Sequence, residues 1–145
     1  MLDFFKKKLA QAQNKLEKLT VGPFANAAMA ASAAIAMADG SLSDSEEDVV
    51  FNAIKKNENL AKFDMAELDK MFSAHIESLK GGRLGKRTVN DAISAINDDP
   101  DAAEIAAMLV LDIAESDGDF DEKEQTEARR IFGILNVDYD AMMAS

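Results

Sequence analysis

Apolar positions recur every three or four residues along almost the whole chain, the spacing that gathers them on one face of an α-helix. Over the first twenty residues Leu2, Phe5, Leu9, Ala12, Leu16 and Leu19 keep this spacing, with Lys6, Lys7, Lys8, Lys15 and Lys18 around them, which predicts an amphipathic helix over 1–20. Val21-Gly22-Pro23 ends it, because proline cannot continue a helix and suits the first turn of the next. A second helix is expected from about Phe24 to Ala38, uncharged and so rich in Ala that it reads as a packing element which lets its neighbours approach closely. After a loop at Asp39-Gly40 a third spans Asp44 to Lys56, and Asn57-Glu58-Asn59 breaks it. Asp64 is the expected cap of a fourth, with Glu67 at capping-box spacing and an apolar stripe of Leu68, Met71, Phe72, His75 and Leu79.

The run Lys80-Gly81-Gly82-Arg83-Leu84-Gly85-Lys86-Arg87 holds four cations and no acid, and reads as a flexible basic linker in which cations complement a helix C-terminus ahead of a glycine cap. It has no strand before it and no phosphate-loop spacing. Further helices are expected at about Thr88 to Asn97, Pro100 to Glu115 and Glu122 to Leu135, with a short turn after Asp138. No segment alternates apolar and polar residues over strand length, so the fold class is all-α: a bundle of about seven helices, organised as the 1–20 helix followed by one helical domain over 24–145.

Composition supports the helical reading, with 25 Ala against six Val, three Thr and two Pro. A chain of 145 residues suffices for one domain that buries roughly 68–70% of its unfolded surface. With no Cys and a single His, thiol chemistry, cysteine–zinc sites and multi-histidine metal centres are excluded within the chain. His75 lies in an apolar stripe among Phe and Met, which points to a satisfied core residue rather than a ligand or base. The net charge of -11 argues against nucleic acid as a partner. The uncharged run Val21 to Ala38 contains Asn26 and Ser32 and lacks the position and basic flank of a signal peptide, so a cytoplasmic protein is expected.

The charge is unevenly placed. Residues 1–20 carry five Lys against Asp3 and Glu17, a net of +3, which leaves -14 for the rest. The basic helix fits peripheral contact with an anionic membrane, docking to a partner, or folding back on the acidic body of its own domain.

The most informative feature is an internal duplication. Ile35-Ala36-Met37-Ala38-Asp39-Gly40-Ser41-Leu42-Ser43-Asp44-Ser45-Glu46 aligns without gaps on Ile113-Ala114-Glu115-Ser116-Asp117-Gly118-Asp119-Phe120-Asp121-Glu122-Lys123-Glu124 at a constant offset of 78. The pairing suggests two helix-loop-helix halves related by a pseudo-twofold, with equivalent acidic loops near each other. One reading is punctuation, in which Gly40 and Gly118 stop a helix and Ser43 and Asp121 cap the next, with Glu46 and Glu124 as capping-box partners. Punctuation does not account for Asp before Gly in both copies, nor for ten carboxylates and no Lys or Arg over 98–122, where like charges repel unless solvated, separated or neutralised.

The other reading is a hard-cation site. Asp39, Gly40, Leu42 and Glu46, and equally Asp117, Gly118, Phe120 and Glu124, have the spacings of a helix-loop-helix calcium loop, in which Gly is followed by an apolar residue and a bidentate Glu. Ile35 and Ile113 stand where the first acidic ligand belongs, so these are not ordinary calcium loops. Asp119 and Asp121 make the second copy the fuller set, and oxygen donors alone suit Ca²⁺, Mg²⁺ or Mn²⁺.

The doubled Ile-Ala-x-x-Asp-Gly-x-apolar-x-acidic-x-Glu pattern resembles the tellurite resistance protein TerB family and its TerB-like domain, over nearly the whole chain from about Phe24, and the basic N-terminal helix resembles the full-length family protein. The resemblance implies an all-helical fold of two similar halves with an acidic cluster for divalent metal. It also implies a place in a bacterial tellurite and stress resistance system, with a TerC-type membrane protein and TerD-type calcium-binding proteins as partners, at the inner face of the membrane. By matched position it designates Asp39, Glu46, Asp117 and Glu124, with Glu47 and Asp112 as weaker additions. A chain without thiols is not expected to reduce tellurite, and acidic loops repel that oxyanion, so the role implied is an indirect, non-enzymatic one: a divalent-cation-responsive adaptor. The competing readings are an acidic interaction module without specific metal binding and, with no nucleophile motif or phosphate loop to support it, a hydrolase using paired carboxylates.

Overall fold

The computed structural model describes residues 21–116 and 118–144, and its described residues form seven α-helices and no strand. The expected helix over 1–20 and the position of Asp117 lie outside the described residues. In chain order the helices are α1 Val21–Ala36, α2 Asp44–Lys56, α3 Met65–Lys80, α4 Gly82–Ser94, α5 Pro100–Glu115, α6 Glu122–Leu135 and α7 Tyr139–Ala144.

The uncharged, alanine-rich helix α1 is the centre of the bundle and packs against α2, α3, α4, α5 and α6. Ala25, Ala27, Ala28, Met29, Ala30, Ala31 and Ala33 are fully buried, because methyl side chains leave room for helices on every side. Ser32 is buried among them and donates its hydroxyl to the Ala28 carbonyl at 2.7 Å, so no polar group is left unsatisfied there. α5 repeats the design, burying Ala102, Ala103, Ile105, Ala106, Ala107, Leu109, Val110, Ile113 and Ala114. Phe72 of α3 and Phe132 of α6 supply the bulk that the alanines lack.

Side-chain caps fix the helix starts. Asp99 accepts from the Ala102 N–H ahead of Pro100, and Asp64 accepts from the Ala66 N–H at 3.0 Å. The Asp64 bond runs two residues on, not to Glu67, so the cap expected there forms without Glu67's N–H as its donor. α1 begins at Val21, earlier than expected, since Pro23 sits in its first turn, where the missing N–H costs nothing.

His75 is 7% exposed, and its Nε2 donates to Asn26 Oδ1 at 2.7 Å across the α1–α3 contact. Burial lowers its pKa below the ordinary histidine value. It is the satisfied core histidine that its place in the stripe implies.

The basic run is a correction. Residues 80–87 are not a linker: α3 ends at Lys80 and α4 starts at Gly82, so Arg83, Lys86 and Arg87 lie in the first turns of a helix that runs to Ser94. Gly82 turns the chain at φ +81, and at Gly85 an added Cβ would lie 1.7 Å from the Ser78 carbonyl oxygen, so the α3–α4 hairpin closes only with glycine there.

Candidate functional site

Among their described residues the two duplicated loops share a set of backbone hydrogen bonds. Gly40 donates to the Met37 carbonyl at 2.9 Å and Gly118 to that of Glu115 at 3.1 Å; Ala38 donates to Ile35 and Ser116 to Ile113; Glu47 donates to Ser43 and Gln125 to Asp121. Every one of these pairs keeps the offset of 78. Gly40 and Gly118 both take left-handed backbone, φ +94 and +78, which stops α1 and α5 as the punctuation reading requires. Ser43 then caps α2 through a full capping box with Glu46, and Asp121 caps α6 by accepting from the Glu124 N–H at 2.8 Å.

Packing joins these local copies. α1 and α5 contact each other in the core, and the loops that leave their C-terminal ends line one cleft of about 190 Å³. Asp39 and Glu46 enter it from the first copy, and Asp119, Asp121 and Glu124 from the second. Leu42, Val50 and Ile113 form apolar parts of its wall, and no basic residue among the described ones lines it. The carboxyl ends of two helices, each carrying partial negative charge, meet at the same place. The cleft is thus a concentration of oxygen acceptors with no cation of its own among the described lining residues.

Three of the carboxylates also hold the local backbone. Asp39 Oδ1 accepts from the Ser41 N–H at 3.2 Å, Glu46 Oε1 accepts from the Ser43 N–H at 3.2 Å, and Asp121 Oδ1 makes the cap described above. The Asp39 bond gives Asp before Gly a structural role that the sequence pattern alone does not reveal. In each case the bond uses one oxygen of the carboxylate and leaves the second as a remaining acceptor. Glu47 and Asp112, the weaker candidates, do not line the cleft. Asp117 lies outside the described residues.

As donors these groups suit a hard divalent cation, which takes oxygen ligands from carboxylates and backbone. Among the described residues, from which Asp117 is absent, no three acidic or histidine side chains stand close enough together to form a ligand set.

Sequence patterning did not identify a second feature on the other side of the Asp39-Gly40 loop. There a groove of about 810 Å³ brings together Lys80 of α3, Lys86 and Asn90 of α4, and Glu127 and Arg130 of α6. These residues come from separate elements with no common spacing, and only Lys80 and Lys86 belong to the basic run that stands out in the sequence. No helix among the described residues is long and apolar enough to cross a membrane.

The family model for tellurite resistance protein TerB matches residues 25–144, which include both loops and every described helix except the first turn of α1. No curated protein and no solved structure gives a significant match.

Proposed function

The chain belongs to the tellurite resistance protein TerB family, and from that premise we propose that it serves resistance as a non-enzymatic adaptor whose acidic cleft responds to a divalent cation. One observation carries this reading: both duplicated loops deliver their carboxylates to a single cleft instead of to two separate sites. Like charges gathered between two helix C-termini raise the free energy of the cleft, and a bound Ca²⁺, Mn²⁺ or Mg²⁺ lowers it by neutralising them.

Asp39 and Glu46 would approach the ion from one side and Asp119, Asp121 and Glu124 from the other. Since no three of the described acidic groups stand together as a ligand set, holding it requires these side chains to draw inward. The ion supplies charge and coordination bonds across the two loops. The chain supplies the scaffold: α1 and α5 fix the loops at the ends of a rigid core, and the caps on α2 and α6 hold Glu46 and Glu124 at their mouths. Tightening of the loops on the ion is the signal that a partner reads, with TerC-type membrane proteins and TerD-type calcium-binding proteins as the proposed partners at the inner membrane face, where residues 1–20 make peripheral contact. The absence of cysteine supports an indirect role, because reduction of tellurite draws on thiols.

A second reading is favoured by the bonds that Asp39, Glu46 and Asp121 make to their own backbone. In it the carboxylates shape and charge an interaction surface for a basic partner, with no specific ion. Calorimetric titration of the full chain with Ca²⁺, Mn²⁺ and Mg²⁺, repeated on Glu46→Gln and Glu124→Gln, separates the two. Saturable binding by the parent chain that both substitutions weaken supports the cation reading. No saturable heat at millimolar metal leaves the interaction surface.

A further inference from the structure

We propose that the groove between α1, α3, α4 and α6 binds a small organic phosphate, a site separate from the acidic cleft and independent of whether that cleft takes a cation. The observation behind it is electrostatic. In a chain with 27 acidic and 16 basic residues, Lys80, Lys86 and Arg130 converge on one groove in which Glu127 is the only carboxylate among the described residues. That carboxylate is already engaged by Arg130 Nε, and Lys86 makes no ion pair among the described residues. Lys80 is paired with Glu77 at 3.3 Å, but both side chains are more than half exposed, so the pair is weak and easily exchanged.

Arg130 is set in place for recognition. Its Nη1 donates to Asn90 Oδ1 at 2.8 Å, a bond between α6 and α4, while Nε is held by Glu127. With two contacts fixing the guanidinium plane, its remaining N–H groups are available as a fork of donors, the geometry that matches a phosphate. The Asn90 amide nitrogen and the two lysine ammonium groups add further donors beside the guanidinium.

Charge and shape set the class of ligand. Three cations against one carboxylate leave a net of two positive charges, which complements a phosphomonoester of charge about -1.5 to -2 near neutral pH better than a monocarboxylate. Met37 and Leu79 provide apolar wall beside the cations, which favours an organic ester over inorganic phosphate alone.

The test is an amide-resolved NMR titration of the full chain, metal-free and at physiological salt, with phenyl phosphate, inorganic phosphate and benzoate as probes. Phenyl phosphate is expected to give saturable shifts at Lys80, Lys86, Asn90 and Arg130, with weaker binding of phosphate and weaker still of benzoate. Lys86→Gln, which breaks no bond in the fold, should weaken phenyl phosphate about tenfold. Glu46→Gln should leave it unchanged, so failure here and failure of the cation reading are read on different variants. Shifts confined to other parts of the chain, equal binding of benzoate, or unchanged affinity in Lys86→Gln would each overturn the proposal.

Discussion

Ser43 and Asp121, at the offset of 78 that runs through the duplicated segments, cap the two helices whose first turns carry Glu46 and Glu124 into one cleft. The side chain of Ser43 accepts from the Glu46 N–H at 3.2 Å and that of Asp121 from the Glu124 N–H at 2.8 Å. A capping device that is common in helical proteins is here used twice to position the same residue type at one place.

Loss of either cap should therefore be felt in stability. Ser43→Ala and Asp121→Ala are each expected to cost about 1 kcal/mol, within the usual range for a capping residue. Denaturant unfolding monitored by helix circular dichroism checks this, and a shift of midpoint without a change in slope identifies a native-state effect.

The glycines make opposite predictions. Gly133 lies inside α6 with open space where a Cβ would go, so Gly133→Ala should stabilise by about 0.5–1 kcal/mol. At Gly85 the same change drives a methyl into the Ser78 carbonyl and should destabilise by about 2 kcal/mol or more. Thermal melts of the two variants against the parent measure both signs.

His75 gives the pH dependence. Burial lowers its pKa in the folded state, so below the ordinary value of about 6.5 the unfolded chain takes up its proton more readily than the folded one. That contribution to stability is present above pH 6.5 or so and is lost as pH falls through the window between the two pKa values. The comparison to make is the parent against His75→Gln between about pH 7 and pH 5. The parent should lose stability relative to the variant across that range; parallel curves would show that His75 titrates alike in both states.

Much of the fold was legible in the sequence because side chains announce it. The limits of α2, α5 and α6 coincide with expectation, set by Ser43, by Asp99-Pro100 and by Asp121. The start of α4 was not, because Gly81, Gly82 and Gly85 among four cations have the composition of a linker. Only the packing shows that Gly85 lets α4 lie against Ser78. The site divides in the same way. The duplicated loops are readable as a repeat, and their equal backbone bonds follow from it. The duplication also suggests that they lie near each other, but that they line one cleft is set by α1 packing against α5, which no spacing along the chain encodes. The pairing of Arg130 with Asn90 is of that second kind, forty positions apart in sequence and joined only by the α4–α6 contact.

The central claim is that the two loops act as one cation-responsive unit, and it is tested most directly by a calcium titration that follows the amides of Gly40 and Gly118 together. A single unit predicts that both signals move with one midpoint, and that Glu124→Gln removes the change at Gly40 as well as at Gly118. Two separate midpoints, a Gly40 response that survives Glu124→Gln, or no saturable change at either amide would contradict it.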